Sequence, residues 1–181
     1  MNWIRPLRNS TPYKMIAVIL ASGKGRRFGL PKSEARVNNE LFSDLIQRTL
    51  NAAGIKDIIL AKDLCTSSML ETLRLAIAGH NTPADYYLVF PVDHPFVSPA
   101  SILKLCFSIT PDTIIKPLFQ GRTGHPIIIP ASLDLKRDDH HQGLARIIKD
   151  SRLPSLCVEV NDPGILRNIN RPQDLTQAQK L

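Results

Sequence analysis

Apolar residues along this chain fall into short blocks punctuated by glycine, proline and hydroxyl residues. The first block, Ile16-Ala17-Val18-Ile19-Leu20, is unbroken, as expected of a strand buried on both faces of a parallel sheet. It ends at the turn Ser22-Gly23-Lys24-Gly25. From Ser33 to Leu41 no period emerges, and the stretch reads as a crossing over the sheet surface. Ser43 is placed to cap a helix whose apolar positions Leu45, Ile46, Leu50 and Ala53 keep helical spacing, with Gly54 as its stop. Asp57 to Ala61 reads as a second strand. Ser68 and Glu71 have capping-box spacing before the stripe Met69, Leu70, Leu73 and Ile77, which closes at Gly79. Tyr86 to Val92 is a further buried strand, and it delivers Asp93 at its carboxyl end.

Ser98-Pro99 then opens a helix with Ile102, Leu103 and Cys106 facing inward. Thr113-Ile114-Ile115 and His125 to Ile129 read as strands joined through Gln120-Gly121-Arg122-Thr123-Gly124, an antiparallel pair or a bent excursion from the main sheet. Leu144, Ile147 and Ile148 share one helical face, and Leu156 to Val160 is a last apolar strand. Asn161-Asp162-Pro163-Gly164 is a turn by composition, and Pro172 begins a closing helix. Alternating short strands and helices predict an α/β fold: a mainly parallel sheet with helices on both faces. There is no repeat, low-complexity segment or linker. Residues 15–181 therefore read as one domain behind a basic arm over residues 1–14.

Of 181 residues, 43% are hydrophobic and 22% charged, ordinary for a globular domain able to bury a sheet core. No apolar run reaches bilayer length, and residues 1–14 lack the apolar centre of a secretory signal. Cys65, Cys106 and Cys157 are scattered without metal spacing and read as buried thiols of a reducing, cytoplasmic compartment. Lys and Arg number 23 against 16 Asp and Glu, a net charge of +7 suited to a polyanionic partner. The cations form no run and have no interleaved aromatics; Arg5, Arg8 and Lys14 make a loose cluster. That pattern places nucleic acid behind a negatively charged small molecule, and simple solubility accounts for the charge equally well.

A glycine-rich turn after a buried strand, followed by Arg26, Arg27 and Lys32, has the parts to cradle phosphates. Glycine lets main-chain N–H groups approach a ligand closely, and the cations offset its charge. Gly23, Gly25 and Gly29 miss the dinucleotide fingerprint by one position, and the Walker pattern fails at Lys32. A tight turn with solvated arginines is the plain alternative. Asp93 belongs to the same rim, where open α/β sheets bind ligands; capping a helix or pairing an arginine would also suit it. The adjacent His140 and His141 point apart and lack partners at ligand spacing, so they read as a surface loop.

The segment Leu20 to Gly29, closing with Pro31-Lys32, resembles the signature loop of the nucleotidyltransferases that activate molybdenum cofactor, the MobA/MocA-like cytidylyl- and guanylyltransferase branch. Three further segments are similar to that family and follow its order: Phe90-Pro91-Val92-Asp93-His94-Pro95-Phe96-Val97, Gly121-Arg122-Thr123-Gly124-His125-Pro126, and Gly164 to Leu175. The resemblance implies a Rossmann-like, GT-A-like nucleotidyltransferase fold with an antiparallel excursion. It implies that Leu20, Ala21, Ser22, Gly23, Lys24 and Gly25 hold a triphosphate, while Arg27 and Lys32 offset charge during transfer. It makes Asp93 and Asn170 the ligands of Mg2+, and sets Arg122, Gly124 and His125 beside the acceptor. His125 reads equally as ordering the turn before Pro126, and Asn170 doubles as a helix cap.

The chain also departs from the family pattern. Ser22 replaces the usual alanine or glycine, and His94 stands at a variable position and reads as peripheral. Between Lys32 and Asp93 the chain is shorter, as though one strand–helix unit were trimmed. The helix near the base keeps only Leu70 and Thr72 at the family's places, and Thr72 is the candidate nucleotide contact. The reaction implied is transfer of a nucleotidyl group from a triphosphate, CTP ahead of GTP, to a phosphorylated acceptor with release of pyrophosphate. Molybdopterin stands ahead of a sugar or alditol phosphate as acceptor, with room for a molybdoenzyme or chaperone partner and none for a membrane. A nucleotide-binding module without turnover is the alternative from another class, and a nucleic-acid-binding domain a third.

Overall fold

The computed structural model describes residues 12–22, 34–136, 143–171 and 173–175. The first apolar block forms β1 (Met15–Leu20), paired in parallel with β4 (Ile58–Ala61) on one side and β5 (Tyr86–Pro91) on the other. Its side chains alternate between two cores, which is why every residue from Ile16 to Leu20 is apolar. Ala17 and Ile19 pack in the core built by α1 (Phe42–Ala52) and α3 (Pro99–Phe107). Val18 and Leu20 pack in the core built by α2 (Met69–Ala78) and α4 (Leu144–Asp150). The sheet continues through β8 (Ile127–Pro130), antiparallel to both β5 and β6 (Ile114–Phe119), and ends with β9 (Ser155–Glu159) parallel to β6. Helices thus cover both faces of a mainly parallel sheet, and the antiparallel excursion is β8 with the short β7 (Arg122–Thr123).

Several local expectations hold for the reasons given. Ser68 Oγ accepts from Glu71 N at 3.1 Å, and Ser98 Oγ accepts from Ser101 N at 3.3 Å with Pro99 in the first turn. The reciprocal half of the Ser68 box differs: Glu71 Oε2 accepts from Ser67 N and Oγ, both at 2.7 Å. Others fail. Ser43 does not cap α1; the N-cap is Leu41, with no side-chain bond, and Ser43 is buried inside the helix. The unpatterned stretch before it is a small hairpin, β2 (Arg36–Val37) with β3 (Glu40–Leu41), turning at Asn38 and Asn39 with φ of 51° and 65°. Two successive positive φ values define a type I′ turn, for which asparagine is suited.

The expectation of three buried thiols also fails. Cys106 is buried, and desolvation pushes its thiol up to about 11. Cys65 and Cys157 are exposed. Cys157 lies on β9, which pairs with β6 and with no other described strand, so an apolar-looking run has four of its five residues exposed. No helix among the described residues is long and apolar enough to cross a membrane.

Candidate active site

Because β1, β4, β5, β6 and β9 all run the same way, their carboxyl ends share one rim. Leu20 and Pro91 are register partners there, and Val92 N donates to Leu20 O at 3.1 Å. Ser22 and Asp93 therefore leave adjacent strands at the same level. Leu20 and Ala21 are buried, and Ala21 N–H is engaged with Ala61 O at 2.8 Å. Ser22 turns toward β4: its hydroxyl donates to Ala61 O at 3.0 Å and accepts from Leu64 N at 3.3 Å. The hydroxyl that departs from the family pattern is thus a stitch between the first turn and the loop after β4. Gly23, Lys24, Gly25, Arg27 and Lys32 lie outside the described residues, as do His140, His141 and Pro172. Thr72, on α2, is buried; its hydroxyl is bonded to Thr66 Oγ1 at 2.7 Å and to Ser68 O at 3.1 Å.

Asp93 is only 5% exposed, although it sits at the rim. Three elements fix it. Its carbonyl accepts from Ile169 N at 2.7 Å, its carboxylate oxygen Oδ1 lies 3.0 Å from His94 Nδ1, and β5 delivers it with the turn closed by His94 N to Pro91 O at 3.2 Å. The bond to Ile169 sets the half-buried Asn170 against the same loop. Asn170 N and Arg171 N both donate to Asp174 Oδ2 at 2.8 Å, so the chain is capped by Asp174 reaching back to it. Asp93 and Asn170 offer a carboxylate and an amide oxygen, the hard donors that suit Mg2+ with phosphates and water completing its shell. Among the described residues no three acidic, histidine or cysteine side chains form a metal cluster.

His125 reaches the rim by an interrupted strand. The hairpin turn Gln120-Gly121 has φ of 48° and 75°, and β7 pairs Leu118 with Thr123, whereas β8 pairs Ile115 with Ile128. Between those pairs the register slips by two residues at Gly124, His125 and Pro126, a bulge that re-aims a side chain. His125 N then donates to Ile165 O at 2.9 Å instead of to the ladder, and the His125–Pro126 bond is cis. Two glycines allow this closeness. A Cβ on Gly124 would lie 2.2 Å from Ile165 O, and one on Gly164 2.2 Å from Phe96 O. Asp162 locks the same layer, its carboxylate accepting from Ser98 N, Ser101 Oγ and Gly164 N, each at 2.8 Å.

The His125 ring lies 4.9 Å from that of His94, tilted by 60°. Desolvation first, and His94 second, push His125 down to about 4, with Asp93 opposing. It is therefore a neutral imidazole at neutral pH. Its Nδ1 is buried and has no hydrogen-bond partner among the described residues. Arg122 is exposed on β7. The fold brings together the loops that carry Ser22, Asp93, His125 and Asn170. The sequence reading missed His94, treated as peripheral and in fact buried against the acid.

An open, mainly parallel sheet with a buried acid two residues beyond a strand that neighbours the first is the frame of a nucleotidyltransferase fold. A nucleotidyl transferase from Methanothermobacter thermautotroptrophicus superposes with a TM-score of 0.76 at 19% identity, covering 92% of this chain and 96% of that one. A Mycobacterium tuberculosis H37Rv protein, solved in complex with manganese, gives 0.67 at 20% identity over 92% and 98% of the two chains. The model of the MobA-like NTP transferase domain matches residues 17–156, and the chain belongs to that family. A probable molybdenum cofactor guanylyltransferase from Geobacillus sp. (strain WCH70) is 28% identical over 114 residues, 51% of this chain. The match spans 56% of that curated relative, little more than half its length.

Proposed function

We propose that this protein transfers a nucleotidyl group from a nucleoside triphosphate to a phosphorylated acceptor, with pyrophosphate as the leaving group. The observation that carries the reading is the Ile169–Asp93 hydrogen bond, which ties the Asp93 and Asn170 segments together at the rim where β1 ends. Mg2+ held by Asp93 and Asn170 would supply charge neutralisation at the α-phosphate. The main-chain N–H groups of Ser22 to Gly25, with Arg27 and Lys32, would hold the triphosphate and balance the charge that builds on pyrophosphate. The acceptor phosphate is already ionised, so no general base is required of His125. Its ring would instead help to orient the acceptor beside Arg122. Positioning and electrostatics carry the catalysis.

The sequence alone puts CTP before GTP. The likeness to a guanylyltransferase, and the asparagine at position 170 that the guanylyl branch more often carries, support GTP first. Molybdopterin remains the favoured acceptor, with a sugar or alditol phosphate behind it. The test is pyrophosphate release with CTP, GTP, ATP and UTP, each with and without Mg2+ and candidate acceptors. Asp93→Ala should lower turnover by about three orders of magnitude or more with circular dichroism unchanged. Near-normal Mg2+-dependent release by that variant overturns the assignment. Tight triphosphate binding without release in the wild type would mark a binding module.

A further inference from the structure

We propose that His94 is a positioning residue: its Nδ1–H holds one oxygen of the Asp93 carboxylate while its ring rests against His125 of the acceptor strand. The inference rests on the reading of Asp93 as a metal ligand and gives that ligand a partner on this chain. His94 is 5% exposed, and burying an imidazole without a hydrogen bond is costly, so an apolar residue would serve better if packing were its only task. The bond it makes is to Asp93 Oδ1, at 3.0 Å. An ionised carboxylate can only accept, so in this contact Nδ1 carries the proton and donates it. The His125 ring, 4.9 Å away, fixes the ring's tilt.

The main chain of Asp93 is pinned through Ile169 N. The bond from His94 restrains the side-chain torsion of the carboxylate as well. A hydrogen bond that orients a metal ligand typically accounts for about 10- to 100-fold in metal affinity. One imidazole thereby spans the space between the acid and the acceptor loop.

The test uses the full chain and three variants. Mn2+ is titrated in the presence of the α,β-methylene analogues of GTP and CTP and read by electron paramagnetic resonance. The Mg2+ dependence of turnover is measured alongside. In His94→Asn the amide nitrogen falls near the place of Nδ1, whereas in His94→Gln it falls near Nε2, out of reach of Oδ1. The expected result is Mn2+ affinity about 10-fold or more weaker for His94→Gln, and within about threefold of wild type for His94→Asn. Equal behaviour of the two variants overturns the inference. Asp93→Asn separates the two readings: if it loses Mn2+ affinity while His94→Gln does not, only the role of His94 falls. If Asp93→Asn keeps full affinity, the metal-ligand reading falls and takes this one with it. Nitrogen-15 shifts of the wild-type ring give a check independent of any substitution, since an Nε2–H tautomer for His94 also overturns it.

Discussion

At the amino-terminal end of the sheet, polar groups answer one another. Lys14 N donates to Asp85 Oδ2 at 2.7 Å, Asp85 N returns a bond to Lys14 O at 2.8 Å, and the buried Tyr86 hydroxyl donates to Thr110 O at 2.9 Å. A cavity of about 290 Å³ beside them is lined largely by apolar side chains, among them Met15, Ile55, Leu103 and Phe107. At the carboxyl rim an acid and two imidazoles are crowded together, and His125 Nδ1 has no partner among the described residues. Folded proteins rarely leave buried polar atoms unmatched, and the incomplete matching among the described residues is one reason the rim is proposed as the ligand site. Size of hollow and chemistry of lining are separate properties.

The sharpest way to break this contrast is at the close approaches behind the rim. Gly164→Ala places a Cβ against the backbone carbonyl of Phe96 and against Asp162 Oδ1, which Gly164 N already holds, and should cost about 3 kcal/mol of stability. Thermal unfolding measures it. Turnover should fall further than stability, because the same segment carries Asn170. A Gly164→Ala protein that melts like wild type would show that the layer can shift and is not the rigid backing described.

The next effect is spread over a range of pH. His125 is held at about 4 against an ordinary 6.5, so between those values the unfolded chain binds a proton that the folded chain refuses. Stability therefore rises with pH across that window and is lost as pH falls through it, with a slope of up to about 1.4 kcal/mol per pH unit from this residue. Urea unfolding of the metal-free protein should show that slope, and His125→Asn should flatten it. The smallest effect belongs to the other end. Tyr86→Phe removes one hydrogen bond, should cost about 1 kcal/mol, and should leave turnover unchanged. A loss of activity in Tyr86→Phe would deny that the two ends are independent.

Much of this was legible before any coordinates. Ile16 to Leu20 and Tyr86 to Val92 announce doubly covered strands because burial on both faces leaves no polar position. Ser68-x-x-Glu71 and Ser98-Pro99 announce helix starts because only a few side chains satisfy free N–H groups. What escaped depends on neighbours. Leu156-Cys157-Val158 is as apolar as a central strand, but its sheet partner is on one side, and composition cannot say which side is bare. Asn38-Asn39 did carry a signal, two residues tolerant of positive φ, hidden because the strands on either side are two residues long. His94 was invisible as a functional residue, since nothing local distinguishes an imidazole against a carboxylate from one in solvent. The role proposed for it comes from the contact with Asp93 Oδ1, and from the His125 ring that the slipped register of β8 brings across the rim.

The hydrogen bond from Ile169 to Asp93 also sets an order of assembly. On the ribosome, β1, β4 and β5 emerge and can pair while Asn170 is still unsynthesised. If Asp93 and Asn170 share a metal as proposed, the nascent chain would have a sheet and an acid at its edge but not the second oxygen donor until that late segment docks. Competence would then arrive with a single main-chain contact rather than with the core.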